Sequence, residues 1–402
     1  MKKYLLILLI AVMAISCGCM NNTAKDIIIE YKDTYIENQD FQYNFFDKST
    51  GQTVMQKGNG GYYFVLNNYF YFVDENTMNA VPLCNKTDCL HDKETDPEKV
   101  MNCNAYLPGS VINPLFCVYE DCIYKIADES YYEKEKLIIV NSIYQCNSDG
   151  TDSKKVFSIN KNISRWFIHR GIIYYTTDVD NILMGDDLSN NKENAVVDLD
   201  SIGLYNVVVE NITAYGNNIY FILNGYQSED DCKKMVDGEE ITTIEEIYAV
   251  NIVDNSNYTV KSETGFSGLI FEGFFDDCLI VSDADYNAEN PEKKMYSIDK
   301  NGNKKLLDYK YASLYDFCYF DNNFTYIKKG TDIDDVQKNI FEVYSKDKLL
   351  TTIDFPDGYV NDIYLGDEDY LFYYEDNENI QRLYYISKND LAEGKSRLNI
   401  IL

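Results

Sequence analysis

Short runs of aromatic and β-branched residues, split by two- or three-residue polar turns, recur along most of the chain. Phe64 to Phe72 flank Asn67-Asn68, Cys117 to Tyr124 flank Glu120-Asp121, and Phe167 to Tyr175 flank Arg170-Gly171. Four further units follow: Ala214 to Ile222 around Asn217-Asn218, Phe274 to Val281 around Asp276-Asp277, Tyr319 to Tyr326 around Asp321-Asn322, and Tyr364 to Tyr373 around Asp367-Glu368. Apolar runs joined by such turns are hairpin signals. Successive turns lie 45 to 59 residues apart, 50 on average.

A second hairpin follows in most units. It is clearest where Ile143-Tyr144 leads into Asn147-Ser148-Asp149-Gly150 and Met295-Tyr296 into Asp299-Lys300-Asn301-Gly302, and looser at Ile247 to Asn251 and Leu383 to Ser387. Two hairpins make four strands per unit, and a period of ~45–50 residues is that of a β-propeller blade. The expected fold is therefore all-β, a β-propeller of four-stranded blades over residues 59–402. The count is seven blades, or six or eight if the first unit is incomplete. A pair of β-sandwiches would also show short strands, but not a two-hairpin unit recurring in order.

The amino-terminal end has another pattern. Lys2 and Lys3 precede an apolar run from Leu5 to Ile15, too short for a bilayer-spanning helix, which needs roughly 20 residues. A basic start, a short apolar stretch and a small-residue end describe a secretory signal. Ala14-Ile15-Ser16-Cys17-Gly18 resembles the lipobox of bacterial lipoproteins, apart from Ala14 where that family more often has Leu. The resemblance implies cleavage after residue 16 and a diacylglyceryl anchor on Cys17. Cys19 is the less well-fitting alternative. Residues 1–16 are thus read as signal peptide and 17–58 as lipidated cysteine and polar spacer. The expected location is the outer face of the cytoplasmic membrane, with lipid as the membrane contact.

Composition narrows the functions. The 402 residues carry 36 Lys+Arg against 66 Asp+Glu, a net charge of −30, which becomes −32 when Lys2 and Lys3 leave with the signal. Such a surface repels nucleic acid and anionic lipid. Two histidines leave little room for imidazole chemistry. His169 has no nucleophile near it in sequence and reads as structural. The 37 Tyr fall mostly on the expected strands.

Of 11 cysteines, Cys17 and Cys19 sit at the anchor, and several of the rest recur at matching hairpin positions. Cys117 and Cys318 precede their turns by three residues, and Cys122 and Cys278 follow theirs directly, as buried strand thiols would. Across the Glu120-Asp121 turn, Cys122 faces Tyr119, so Cys117 is only a diagonal neighbour, beyond disulfide reach. A different cluster, Cys84-x4-Cys89-x-His91-x11-Cys103, lies outside any strand pattern. Three thiolates and an imidazole are a complete tetrahedral set for one structural zinc, closed to substrate. The competing reading is a disulfide from Cys84 or Cys89 to Cys103, with His91 incidental.

No nucleophile elbow, phosphate-binding loop or paired-histidine zinc helix is present. Asp283-Ala284-Asp285-Tyr286-Asn287 starts like a calcium loop but has Ala288 and Lys294 where Gly and Glu are required. It reads as a solvated acidic loop, as do Asp332, Asp334 and Asp335.

The hairpins around Tyr144, Asn147 and Gly150 and around Tyr296, Asp299 and Gly302 resemble TolB-like bacterial propellers. With the lipobox and the cysteine–histidine loop, the chain is similar to uncharacterised surface lipoproteins of Gram-positive anaerobes, over roughly residues 60–400. The resemblance implies a fold and no established activity. The leading expectation is a non-enzymatic, surface-tethered propeller that binds a glycan, peptide or envelope protein. The alternatives are a carbohydrate-active enzyme with paired Asp/Glu and a structural part of an envelope complex.

Overall fold

Each blade is dictated by how its strands are covered. The second strand of the first blade, Gly61–Leu66, is buried at every position because both faces meet apolar neighbours. The last strand of the fourth blade, Asn257–Lys261, alternates exposed and half-buried residues, as an outer strand should. Tight turns fix the pairing. Asn67-Asn68, Glu120-Asp121 and Asp276-Asp277 place both residues at φ between 49° and 62°, the mirror-image turn that suits twisted antiparallel strands.

The structure, a computed structural model, describes residues 29, 31–45, 55–107, 115–190, 192–239, 241, 243–262, 268–284, 293–307, 316–329, 340–346, 348–355, 360–377 and 380–402. Cys17, Cys19, Asp332, Asp334, Asp335 and most of the calcium-like loop lie outside these residues. Tyr31–Leu402 form one compact unit. Among the described residues, no helix is long and apolar enough to cross a membrane.

Among the described residues the strands form seven successive four-stranded antiparallel meanders, which we number as blades 1 to 7: 55–82, 116–159, 163–198, 205–261, 270–307, 317–354 and 360–400. Blade 2 carries an extra hairpin, Tyr131–Glu133 with Lys136–Ile138. Blades 5 and 6 touch along their first strands through a parallel bridge, Gly273 to Phe320.

The cores lie between the sheets. Successive blades from 1 to 7 each enclose an apolar cluster with the next, and a further cluster of Tyr62, Phe64, Tyr364, Phe372 and Leu383 joins blade 7 to blade 1. Ring closure through this last cluster makes the fold a β-propeller. Aromatic pairs fill the seams. Phe70 meets Phe116 edge-on at 4.6 Å, Tyr215 stacks on Phe274 at 4.4 Å, Phe355 stacks on Tyr373 at 4.0 Å, and Tyr62 meets Phe372 at 4.7 Å. This is where much of the tyrosine goes.

Two features differ from the sequence reading. Asn67-Asn68 joins the second and third strands of blade 1, whereas the other six turns join first and second strands. The first hairpin of blade 1 turns at Asn59-Gly60, so the blade begins at Met55, inside the stretch read as spacer. A two-residue turn looks alike whichever strands it joins, so its phase is not written locally. Second, residues 31–45 of that stretch are docked onto the ring, with Asp40, Phe41, Gln42 and Phe45 buried.

Candidate functional site

The predicted metal ligands come together. Cys84, Cys89, His91 and Cys103 place their ligand atoms within 4.8 Å of one another. They belong to the loop that follows blade 1. Its outward arm is fixed where Leu83 N–H donates to Phe70 O at 2.8 Å. Its return arm is fixed where Phe70 N–H donates to Ala105 O at 2.7 Å and Leu107 N–H to Asn68 O at 2.8 Å. A short helix, Pro97–Met101, is capped by Asp96 and delivers Cys103, whose N–H donates to Val100 O at 3.0 Å. His91 sits at φ 54°, a left-handed position that turns its ring back toward Cys103, with Sγ 3.7 Å from Nδ1.

That separation fits a tetrahedron. Zinc bonds of about 2.1 Å to nitrogen and 2.3 Å to sulfur imply ligand–ligand edges of roughly 3.6 Å. Burial raises the Cys84 thiol, but hydrogen bonds from the Lys86 and Asn104 N–H groups and from Cys103 and Cys89 outweigh it. Its net shift is downward. Burial raises Cys103, against an opposing N–H from Ala105. N–H groups aimed at sulfur two residues earlier stabilise thiolate and orient it. Cys84, Cys89 and Cys103 are in no disulfide. Cys117 pairs with Tyr124 and Cys122 with Tyr119, as the turn requires, and Cys117, Cys146 and Cys318 are buried.

The second constellation is at the end of the ring where the first hairpins turn. Residues 31–45 reach several blades there. Phe41 N–H donates to His169 Nδ1 at 3.0 Å, so the ring proton sits on Nε2, which donates to Gly216 O at 2.9 Å. Gln42 exchanges two bonds with the backbone of Lys57, at 2.8 and 2.7 Å. Tyr43 packs on Tyr215 and Phe274, and Asn44 O accepts from Gly366 N–H. His169 is fully buried and spent on structure, as its sequence context suggests.

Beside this segment lies a cavity of about 310 Å³ lined by Tyr43, Asn44, Lys57, Asp321, Asp367 and Lys388 among others. Two of its carboxylates, the buried Asp321 and the half-buried Asp367, occupy equivalent places. Asp321 accepts from the N–H groups of Asn323 and Phe324, from Tyr326 OH, and from Lys388 at 2.7 Å. Asp367 accepts from the N–H groups of Asp369 and Tyr370, from Tyr62 OH at 2.6 Å, and from Lys57 at 2.9 Å. In each case the lysine comes from the next blade round. Burial opposes the charge of Asp367, but Tyr62 and Lys57 outweigh it and hold the carboxyl below its ordinary value. Asn44 Oδ1, buried at the cavity wall, has no hydrogen-bond partner among the described residues.

Elsewhere burial raises the carboxyls of Glu120, Asp186, Glu245 and Glu246. Asp186, Glu245 and Glu246 did not stand out in the sequence among 66 acidic residues, and Glu120 stood out only as a turn residue. Asp186, Glu245 and Glu246 lie on strands and Glu120 in the blade 2 turn, and their burial depends on which blades are neighbours.

No known family profile matches the chain, and no curated protein does. Solved structures of similar shape include a β-propeller. The β-propeller domain of the trilobed protease from Pyrococcus furiosus is 9% identical and aligns over 87% of this chain and 96% of that one, with a TM-score of 0.46. An uncharacterised protein from Listeria monocytogenes is 11% identical over 72% and 81%, with a TM-score of 0.45. The oligogalacturonate lyase from Vibrio parahaemolyticus is 10% identical over 68% and 84%, with a TM-score of 0.42. The propeller assignment rests on the seven meanders and their shared cores.

Proposed function

We propose that this chain is an exported, lipid-anchored propeller that binds a ligand or partner without transforming it, and that Cys84, Cys89, His91 and Cys103 hold one structural zinc. The cavity at the covered end carries the binding reading. Its two inward carboxylates, Asp321 and Asp367, are already engaged by lysines and hydrogen bonds, while Asn44 Oδ1 offers an unsatisfied acceptor to a polar guest. The guest is a surface glycan, a peptide or an envelope protein segment.

The zinc reading rests on the four donors and their supporting N–H groups. Four protein ligands close the coordination sphere, so the metal would fasten the loop between blades 1 and 2 rather than bind substrate. The anchor reading rests on the lipobox resemblance around Cys17.

Binding to a glycan and peptide array by the full chain, lost in Asn44→Ala and retained in Cys103→Ser, tests the site. Turnover of a bound glycan would reject the non-enzymatic reading. Metal analysis should find one zinc per chain in the wild type and none in Cys103→Ser. A Cys84–Cys103 or Cys89–Cys103 bridge found by mass spectrometry would sink the zinc assignment. Palmitate labelling lost in Cys17→Ala tests the anchor. A second reading, a carbohydrate-active enzyme, draws on Asp186 and Glu193, which face each other across adjacent strands of blade 3.

A further inference from the structure

Between the outer parts of blades 2 and 3 runs a groove of about 750 Å³. Strand alternation sets its lining. In Ile182–Asp187, Leu183 packs toward blade 4, so Ile182, Met184 and Asp186 face blade 2. The neighbouring strand adds Glu193 directly opposite Asp186. Tyr175 and Phe157, from the two blades, meet at 5.0 Å between ring centres on one wall.

The charges do not balance. Among the described residues lining the groove, the ionisable side chains besides Tyr175 are Lys161, Asp180, Asp186 and Glu193. Lys161 is engaged by Asp180. Glu193 accepts from Tyr175 OH and pairs with no cation among the described residues. Asp186 is only 7% exposed and has no hydrogen-bond or ion-pair partner among the described residues. Burial, then Glu193 and Asp187, push its carboxyl above its ordinary value. A carboxylate shielded from bulk water in this way is costly to charge, and a second one opposite makes it more so. A cation in the groove would offset both carboxylates.

The walls say which kind. A hard ion such as calcium takes 6–8 oxygen ligands, as a rule. Here the surroundings include Val156, Phe157, Ile159, Ile182 and Met184. Apolar and aromatic walls beside two carboxylates suit an alkylammonium, whose head pairs with the acids and whose stem lies against the rings. We propose that this groove binds an organic ammonium ion, a primary amine on an apolar stem, with Asp186 and Glu193 as counter-ions and the Phe157–Tyr175 pair against the stem. The site is separate from the covered-end cavity, and it rests on the non-enzymatic reading only in that the same two carboxylates act as counter-ions and not as catalysts.

The test is calorimetric titration of the full chain with 1,5-diaminopentane. Saturable binding is expected. Glu193→Gln, at an exposed position, should weaken binding about tenfold, the usual size of a charged hydrogen bond. Asp186→Asn should weaken it at least as much, and 1-pentanol should not compete. Absence of saturable binding, or equal affinity in Glu193→Gln, overturns the proposal. So does displacement by equimolar calcium, which would make this an inorganic cation site. Loss of binding in Asn44→Ala but not in Glu193→Gln would place the amine in the other cavity. Hydrolysis of an aryl glycoside by the wild type but not by Asp186→Asn would make the pair catalytic and defeat the proposal while confirming the rival enzyme.

Discussion

Arg170 grips Asp40 with both ends of its guanidinium, Nε 2.7 Å from Oδ1 and Nη2 3.2 Å from Oδ2, and neither side chain has any exposed surface. The same guanidinium donates to Asn217 Oδ1 and to Lys32 O at 2.7 Å. One turn residue of blade 3 thereby ties residues 31–45 to the ring. Arg170 does so at φ 49°, where Asn, Asp or Gly is the usual choice, so the turn carries backbone strain to place this side chain.

Breaking this pair from one side should be expensive. Asp40→Ala leaves a buried guanidinium without its counter-charge, at about 3–5 kcal/mol. A lower unfolding midpoint and early proteolytic cleavage within 31–45 are expected, whereas an Asp40→Leu/Arg170→Met pair should lose much less. Equal losses in both would mean that the ion pair is not what holds the segment.

Gly216 tests the same docking without touching charge. Its φ is +57°, and a Cβ there would lie 2.2 Å from Asp33 O. Gly216→Ala should push the segment off the ring and cost more than the about 1–2 kcal/mol of left-handed strain alone. Hydrogen exchange at Phe41 N–H, which is hydrogen-bonded to His169, reports it directly.

His169 should make stability depend on acid. Burial, with Arg170 adding to it and Asp40 opposing, lowers its pKa to about 4. Its unfolded value is about 6.5, so the unfolded chain binds the proton more readily. The stabilisation is therefore complete above pH 6.5 and is lost as pH falls toward 4, about 3 kcal/mol in all. Denaturant titrations across that range should show a steeper decline for wild type than for His169→Asn. Parallel curves would place the acid sensitivity elsewhere.

Lys57 joins the first blade to the last through Asp367, whose partner Tyr62 OH comes from blade 1 as well. Lys57→Met should cost about 1–3 kcal/mol, the range for hydrogen bonds to a charged group. Blades 1 and 7 should become the first to exchange amide hydrogens. Uniform exchange round the ring would show that the apolar seam alone closes it.

Metal removal should act locally. If zinc is bound at a thousand times its dissociation constant, it adds about 4 kcal/mol. Chelation should lower the midpoint and open 83–107 to protease while leaving the other blades protected. No response to chelator in the wild type would argue against a bound metal.

Legibility followed the range of the interaction. The Glu120-Asp121 and Asp276-Asp277 hairpins were readable because a two-residue turn needs particular residue types within a few positions. The cysteine–histidine ligands were readable because all four lie within 20 consecutive residues. The docked segment was not, since Asp40 and Arg170 are 130 residues apart and a polar stretch looks the same free or clasped. Asp186 was hidden for a related reason: its neighbour Glu193 sits on the next strand and its groove belongs to a different blade. Alternation in Ile182–Asp187 gives its facing, but not what lies opposite.

The clasp between Arg170 and Asp40 also has a mechanical consequence. Each blade is contiguous in sequence, and residues 31–45 precede all of them. A pull applied at the amino-terminal side of Tyr31 must pass through the clasp before any load reaches Met55 and the first sheet. The buried ion pair, the His169 bonds and the Gln42–Lys57 exchange then act as a fuse in series with the ring. Under tension they would yield first and lengthen the chain by up to about 50 Å, at ~3.3–3.6 Å per extended residue, while the blades stay folded.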